Sequence, residues 1–118
     1  MHHIAITILK ASLTLLTGKK GMYPTGTQTM RNLKDVMAIL QEECAEVIQA
    51  VSKINRFGME NGWNGVSNRQ SLITEIGDVM AILQILIDET DINITEYELM
   101  DAVKAKHKKL EMYLPHET

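Results

Sequence analysis

The sequence predicts an all-α, four-helix-bundle-like domain, and three observations carry that expectation. Aromatic residues are only 4 % of a chain that is 45 % apolar, so the core must be built from Leu, Ile, Val, Met and Ala, which favours helix-on-helix packing over a β-sandwich. Apolar residues recur at helical period over long segments. Two of those segments open with capping-box pairs, Ser67 with Gln70 and Thr95 with Glu98. At 118 residues the chain reads as a single domain, 1–118. No repeat, low-complexity tract or linker divides it.

The first segment, Ile4 to Thr17, carries two patterns. Ile4, Ile6 and Ile8 alternate like a strand, but Leu13, Leu15 and Leu16 do not continue the alternation. It is assigned to helix because the rest of the chain offers no strand to pair with. The apolar run is broken by Lys10 and is too short to span a bilayer. No Lys or Arg precedes it, as a signal peptide would require. The protein is therefore expected to be soluble and cytoplasmic, with no membrane partner. Gly18 to Thr29 is a loop, and its Gly-Lys-Lys-Gly run lacks the spacing of a phosphate-binding P-loop.

The second segment runs from a capping Asn32 to Arg56, with Asp35 in the favoured first turn. Leu33, Val36, Met37, Leu40, Cys44, Val47, Ile48 and Val51 form its apolar stripe, and Gly58 ends it. Phe57 to Val66 is a loop rich in Gly and Asn. Its Trp63 either stacks on a base or plugs the edge of the core, while Asn61, Asn64 and Asn68 suit turns. The third segment extends from Ser67 to about Ile87. From Val79 onward it is apolar on nearly every face except Gln84. A helix apolar all round must be covered all round, and the usual cover is a second copy in a symmetric dimer. A fourth helix runs from Thr95 through Leu114, with Leu99, Val103, Leu110 and Tyr113 inward.

Charge and cysteine content narrow the function. The net charge is −3, so no basic field exists to hold a nucleic-acid polymer, while a small metal-bound anion remains compatible. Cys44 is the only cysteine. It forms no internal disulfide, suits a reducing cytosol, and reads as a small buried hydrophobe.

The chemistry lies in two acidic pairs. Glu43 and Glu46 are three residues apart on the second helix, and Glu75 and Asp78 are three apart on the third. That spacing puts the members of each pair about one turn apart on one face. Glu43 and Glu46 border the apolar stripe, whereas Glu42 falls on the polar side with Gln49 and Lys53. Glu75 and Asp78 sit between Leu72, Val79, Ile82 and Ile85. One such pair alone would be an ordinary set of solvated, salt-bridged acids. Two pairs in apolar surroundings are different, because core-facing carboxylates are costly unless paired or metal-bound. Four hard oxygen ligands suit Mg²⁺, with Mn²⁺ as the second choice. The expected chemistry is metal-assisted attack of water on a phosphate. His2, His3, His107 and His116 show no ligand spacing with these acids.

Glu-Glu-Cys-Ala-Glu at 42–46 followed by Glu-Ile-Gly-Asp at 75–78 resembles the MazG-like superfamily of all-α nucleoside triphosphate pyrophosphohydrolases. The flanking text is similar too: Leu40 to Ala50, Arg56-Phe57-Gly58, and Glu75 to Ala81. The resemblance covers about Leu33 to Tyr113, and residues 1–30 match no helix of the family. It implies that Glu43, Glu46, Glu75 and Asp78 hold magnesium, and that one of the acids, or Glu42, orients the attacking water. It implies a nucleoside triphosphate cleaved to the monophosphate and pyrophosphate, and a homodimer or tetramer. It also implies basic residues of the last helix against the phosphates: Lys106 first, within the Val103–Leu110 stripe, and Lys109 next. A solvated basic face is the plain alternative for both lysines. The competing function is a helical module that binds a nucleotide or a partner without turnover, through adaptable Met37, Met59, Met80, Met100 and Met112.

Overall fold

A computed structural model describes residues 30–117, so the first predicted helix, Ile4 to Thr17, lies outside the described residues. Helix α1 spans Leu33–Phe57, strands β1 and β2 are Gly62–Trp63 and Val66–Ser67, helix α2 spans Asn68–Asp88, and helix α3 spans Glu96–Tyr113. Each helix starts where its capping chemistry predicts. The Asn32 side chain accepts from the Asp35 N–H at 3.1 Å. Ser67 and Gln70 close a reciprocal box on α2, with the Gln70 N–H donating to Ser67 Oγ and the Ser67 N–H to Gln70 Oε1, both at 3.1 Å. Thr95 and Glu98 repeat the device on α3 at 2.8 and 3.1 Å. Each box satisfies N–H groups that a helix start leaves without intrahelical partners.

α1 and α2 are the packed unit, and they run antiparallel. The Arg31 N–H donates to the Glu89 carbonyl at 2.6 Å and the Arg31 side chain bonds the Glu89 carboxylate at 3.1 Å, tying the start of α1 to the end of α2. At the other end the β-hairpin joins them. The least exposed positions of α1 are Leu33, Val36, Leu40, Glu43, Val47, Ala50 and Ile54, which step alternately by three and four residues. That is the seam of a two-helix coiled-coil contact. The core sits at one end of this seam, where Val36, Ile82 and Leu86 are buried and Leu33, Leu40, Ile85 and Ile92 pack around them.

Both helices carry a second seam, and it faces outward. On α1 it is Met37, Cys44, Ile48 and Val51; Ile48 is 70 % exposed and Cys44 is exposed as well. On α2, Ile73, Ile76 and Leu83 are exposed. The expectation that Cys44 is buried is therefore corrected. The apolar stripe of α1 is wider than the strip α2 can cover, and Cys44 lies on the uncovered side. α2 is long and apolar enough, by length and composition, to cross a membrane. However, Glu75 and Asp78 lie at mid-helix and meet the acids of α1, where ionised groups would be expensive in hydrocarbon. Its apolarity is that of a packing surface.

Two further expectations change. The stretch Phe57 to Val66 is not all loop: Gly62 pairs with Ser67 and Trp63 with Val66 in an antiparallel hairpin. Its two-residue turn is Asn64-Gly65, both at positive φ (53° and 77°), the backbone of a type I′ turn. A Cβ on Gly62 would overlap the Val66 carbonyl, so only glycine fits opposite the returning strand. α3 makes only marginal contact with α1 and α2. Leu99, Met100, Val103, His107 and Leu110 form its less exposed face, but Tyr113, expected inward, is 77 % exposed because it falls in the last turn beyond that contact face.

Candidate metal centre

The seam that buries Val36 and Leu86 continues into carboxylates. Glu43 holds a seam position on α1 and Glu75 faces it from α2, while Glu46 and Asp78 stand one turn further along each helix. One carboxylate oxygen from each of the four lies within 4.8 Å of the other three. Glu43 and Glu75 are partly buried, and Glu46 and Asp78 are exposed at the mouth. Buried Oε2 atoms of Glu43 and of Glu75 have no hydrogen-bond partner. A desolvated carboxylate oxygen without a donor is costly, and a hard cation supplies what it lacks. The donor set and the orphaned oxygens therefore fit a divalent oxygen-seeking ion such as Mg²⁺ or Mn²⁺.

The electrostatics record the crowding. The Glu75 carboxyl is pushed up to about 7, first by a hydrogen bond shared with Glu46, then by desolvation and by the charges of Glu46, Asp78 and Glu43. Two carboxyl groups share such a bond only by keeping a proton between them. Glu43 is also raised, by desolvation first and then by Glu46, Asp78 and Glu42. Without a cation the cluster holds a proton near neutral pH; a bound cation would displace it.

The acids open onto a groove. Glu46, Gln49, Ala50 and Lys53 of α1 and Asn68, Ser71 and Glu75 of α2 line a recess of about 230 Å³. Lys53, Asn68 and Ser71 also border a wider concavity of about 640 Å³, whose far wall is Phe57 and the Trp63 hairpin. Asn68 is buried and donates from Nδ2 to the Gly58 carbonyl at 2.9 Å, and the Asn68 N–H donates to the Asn61 carbonyl at 2.6 Å. The Asn61 side chain bonds the Phe57 carbonyl. These bonds fasten the hairpin to the end of α1. Of the three asparagines expected in turns only Asn64 makes one, at the hairpin tip; Asn68 opens α2 and Asn61 precedes β1, and both hold the hairpin's base. Trp63 is 81 % exposed, so within one chain it does not plug the core.

The paired-acid motif is fairly specific on its own, and a second line agrees with it. The sequence profile of the MazG nucleotide pyrophosphohydrolase domain matches residues 31–117. This chain belongs to that family. The match takes in all three described helices of the MazG domain, the four clustered acids and the hairpin. Neither the comparison with curated proteins nor that with solved structures gave a match. Nucleotide pyrophosphohydrolysis is thus the family's chemistry, and the acidic cluster is a group of ligands that could hold a metal ion.

The other predicted site residues lie elsewhere. Glu42 is exposed and outside the cluster of four, although its charge is felt by Glu43. Lys106 and Lys109 are exposed on α3 and border neither groove recess. Sequence reasoning overlooked Gln49 and Lys53 by placing them on a solvated face. The signal was present: they follow Glu46 by three and seven residues, which returns them to its side of the helix. The face reads as solvated on a lone helix but becomes a groove wall once α2 and the hairpin rise beside it.

Proposed function

We propose that this MazG-family chain hydrolyses nucleoside triphosphates, standard or damaged deoxynucleotides among them, to the monophosphate and pyrophosphate in a Mg²⁺-dependent reaction. The observation that carries this reading is the convergence of Glu43, Glu46, Glu75 and Asp78, with orphaned buried oxygens, at the end of an open groove. Glu43, Glu46, Glu75 and Asp78 would hold the cation. When bound, such an ion would lower the pKa of water so that it can give up a proton and attack a phosphate, and would offset the charge that develops.

The chain's own groups do the rest. One of the α1 acids, Glu42, Glu43 or Glu46, accepts the proton of the attacking water. The groove admits the substrate beside Glu46 and Glu75, with Trp63 offering its exposed ring to a base. No nucleophilic side chain replaces water: Cys44 is exposed on α1, but its seam faces away from the acids. Direct attack by water at the α-phosphorus therefore fits better than a covalent intermediate. The outward seams of α1 and α2 support a homodimer or tetramer in which a second copy completes the four-helix bundle. Such assembly is also what would bring Lys106 and Lys109 of a neighbouring α3 to the phosphates. We read the assembly as soluble and cytoplasmic.

The test is incubation with mixed nucleoside triphosphates and Mg²⁺ in ¹⁸O-labelled water. Label is expected in the nucleoside monophosphate and not in the pyrophosphate. Orthophosphate as the first product would mean a different bond is cut. Binding without any turnover would leave a non-catalytic nucleotide-binding module.

A further inference from the structure

We propose that Lys53 is the cation through which this groove grips the phosphate chain of its substrate, an inference that rests on the nucleotide reading above. Lys53 is the only Lys or Arg that borders either recess among the described residues, and it borders both. It stands seven residues beyond Glu46, two turns or about 10 Å along α1. Helical side chains lean toward the N-terminus, which for Lys53 is the direction of the acids along α1. Ser71 and Asn68 face it across the groove from the antiparallel α2.

The charge balance calls for such a group. A triphosphate carries several negative charges into a recess already lined by Glu46 and Glu75. Ions held by the four acids act most strongly on the oxygens nearest them, and their charge is already shared with the four carboxylates. Gln49 and Ser71 are neutral donors. Lys53 brings a compact charge with three donors and no acceptor, which suits phosphate oxygens. Among the described residues no carboxylate is paired with it, so its ammonium is uncommitted despite the acids nearby. Lys106 and Lys109 border neither recess, whereas Lys53 lines both.

The experiment compares wild type, Lys53→Met, Lys53→Arg and Lys34→Met. Lys34, near the opposite end of α1, controls for loss of one surface charge. Calorimetry with inorganic tripolyphosphate in Mg²⁺ buffer measures the phosphate contact without a base, and steady-state pyrophosphate release measures KM and kcat on the best deoxynucleoside triphosphate. Loss of a charge-assisted contact should weaken tripolyphosphate binding and raise KM about tenfold or more in Lys53→Met. kcat should change far less, Lys53→Arg should restore most of the binding, and Lys34→Met should match wild type. Unchanged tripolyphosphate affinity in Lys53→Met overturns the proposal. If KM alone rises, Lys53 reads the nucleoside and the proposal is likewise wrong. In both cases the pyrophosphohydrolase reading stands, provided wild type releases pyrophosphate. A wild type that neither binds tripolyphosphate nor hydrolyses nucleotides refutes both.

Discussion

Two stretches of the α1–α2 seam, an apolar end and the acidic stretch that follows it, share one geometry and differ in chemistry. At one end the seam positions are Val36, Leu40, Ile82 and Leu86, and they make the core. Toward the middle of the seam they are Glu43 and Glu75, with Val47, Ala50 and Ile54 beyond them, and the acids make a cluster that holds a proton where a core would hold methyl groups. The apolar end stabilises the pair of helices and fixes their register. The acidic end depends on that register, because a slip of one residue would carry Glu43 off the seam and away from Glu75. Folding energy is therefore concentrated at one end, while the other tolerates repulsion that a cation would relieve.

The largest way to separate the two ends is Glu75→Gln. At the acidic end this removes a ligand and a crowded charge together. Pyrophosphate release should fall by about a hundredfold or more, since even partners that only orient a metal's ligands cost 10- to 100-fold. The melting temperature without metal should stay level or rise, and the stabilisation that Mg²⁺ gives wild type should disappear. A variant that unfolds readily without metal would make Glu75 a structural partner instead. Glu42→Gln is the milder counterpart, because Glu42 lies outside the cluster of four.

Leu86→Ala makes the opposite change at the apolar end. It should cost about 3 kcal/mol in denaturant unfolding, as buried Leu→Ala truncations do, without altering the order of substrate preference. Equal stability losses from Leu86→Ala and Glu75→Gln would erase the distinction between the ends. A smaller effect is expected at the hairpin end, where Ser67→Ala removes the α2 capping box for about 1 kcal/mol. Because that cap adjoins Asn68 and the groove, KM should rise alongside the lost stability.

The acidic cluster was legible in the sequence because helical spacing sets each pair on one face whatever the loops do; Glu43 and Glu75 lie on the packed seam as expected, whereas Glu46 and Asp78, expected on the same core-facing surface, are exposed at its mouth. The three capped helix starts were legible for a similar reason: capping is settled within four residues. Less visible was everything that depends on a neighbour. The stripe of Leu33 to Val51 looks like one buried face, yet it is two seams, and only the partner decides which is covered; hence Cys44 and Ile48 are exposed. Lys53 and Gln49 became groove residues only through the elements opposite them. The hairpin had a local signal, Asn64-Gly65, which is the favoured pair for a type I′ turn. Its flanking strands are just two residues each, too short for an alternating pattern to show.

The subtlest contrast between the ends is in their response to pH. Glu75 has a folded-state value of about 7 against an ordinary 4.5. The folded chain thus binds more protons at Glu75 than the unfolded one in that interval, so the Glu75 contribution to metal-free stability should be full below about pH 4.5 and be lost as pH rises through about 7. Metal affinity should rise over the same interval as the displaced proton becomes easier to lose. Glu75→Gln should flatten both profiles, followed as melting temperature in chelator and in Mg²⁺, while Leu86→Ala should shift them downward without changing their shape.

The most direct test of the metal centre is Mn²⁺ binding, measured by electron paramagnetic resonance of the free ion at pH 7.5. Wild type should remove Mn²⁺ from solution. Glu43→Gln, Glu46→Gln, Glu75→Gln and Asp78→Asn should each weaken that uptake about tenfold or more, and Glu42→Gln should leave it close to wild type. If wild type takes up no Mn²⁺, or the four cluster variants bind it as wild type does, the four acids are not a metal centre and the account fails at its base.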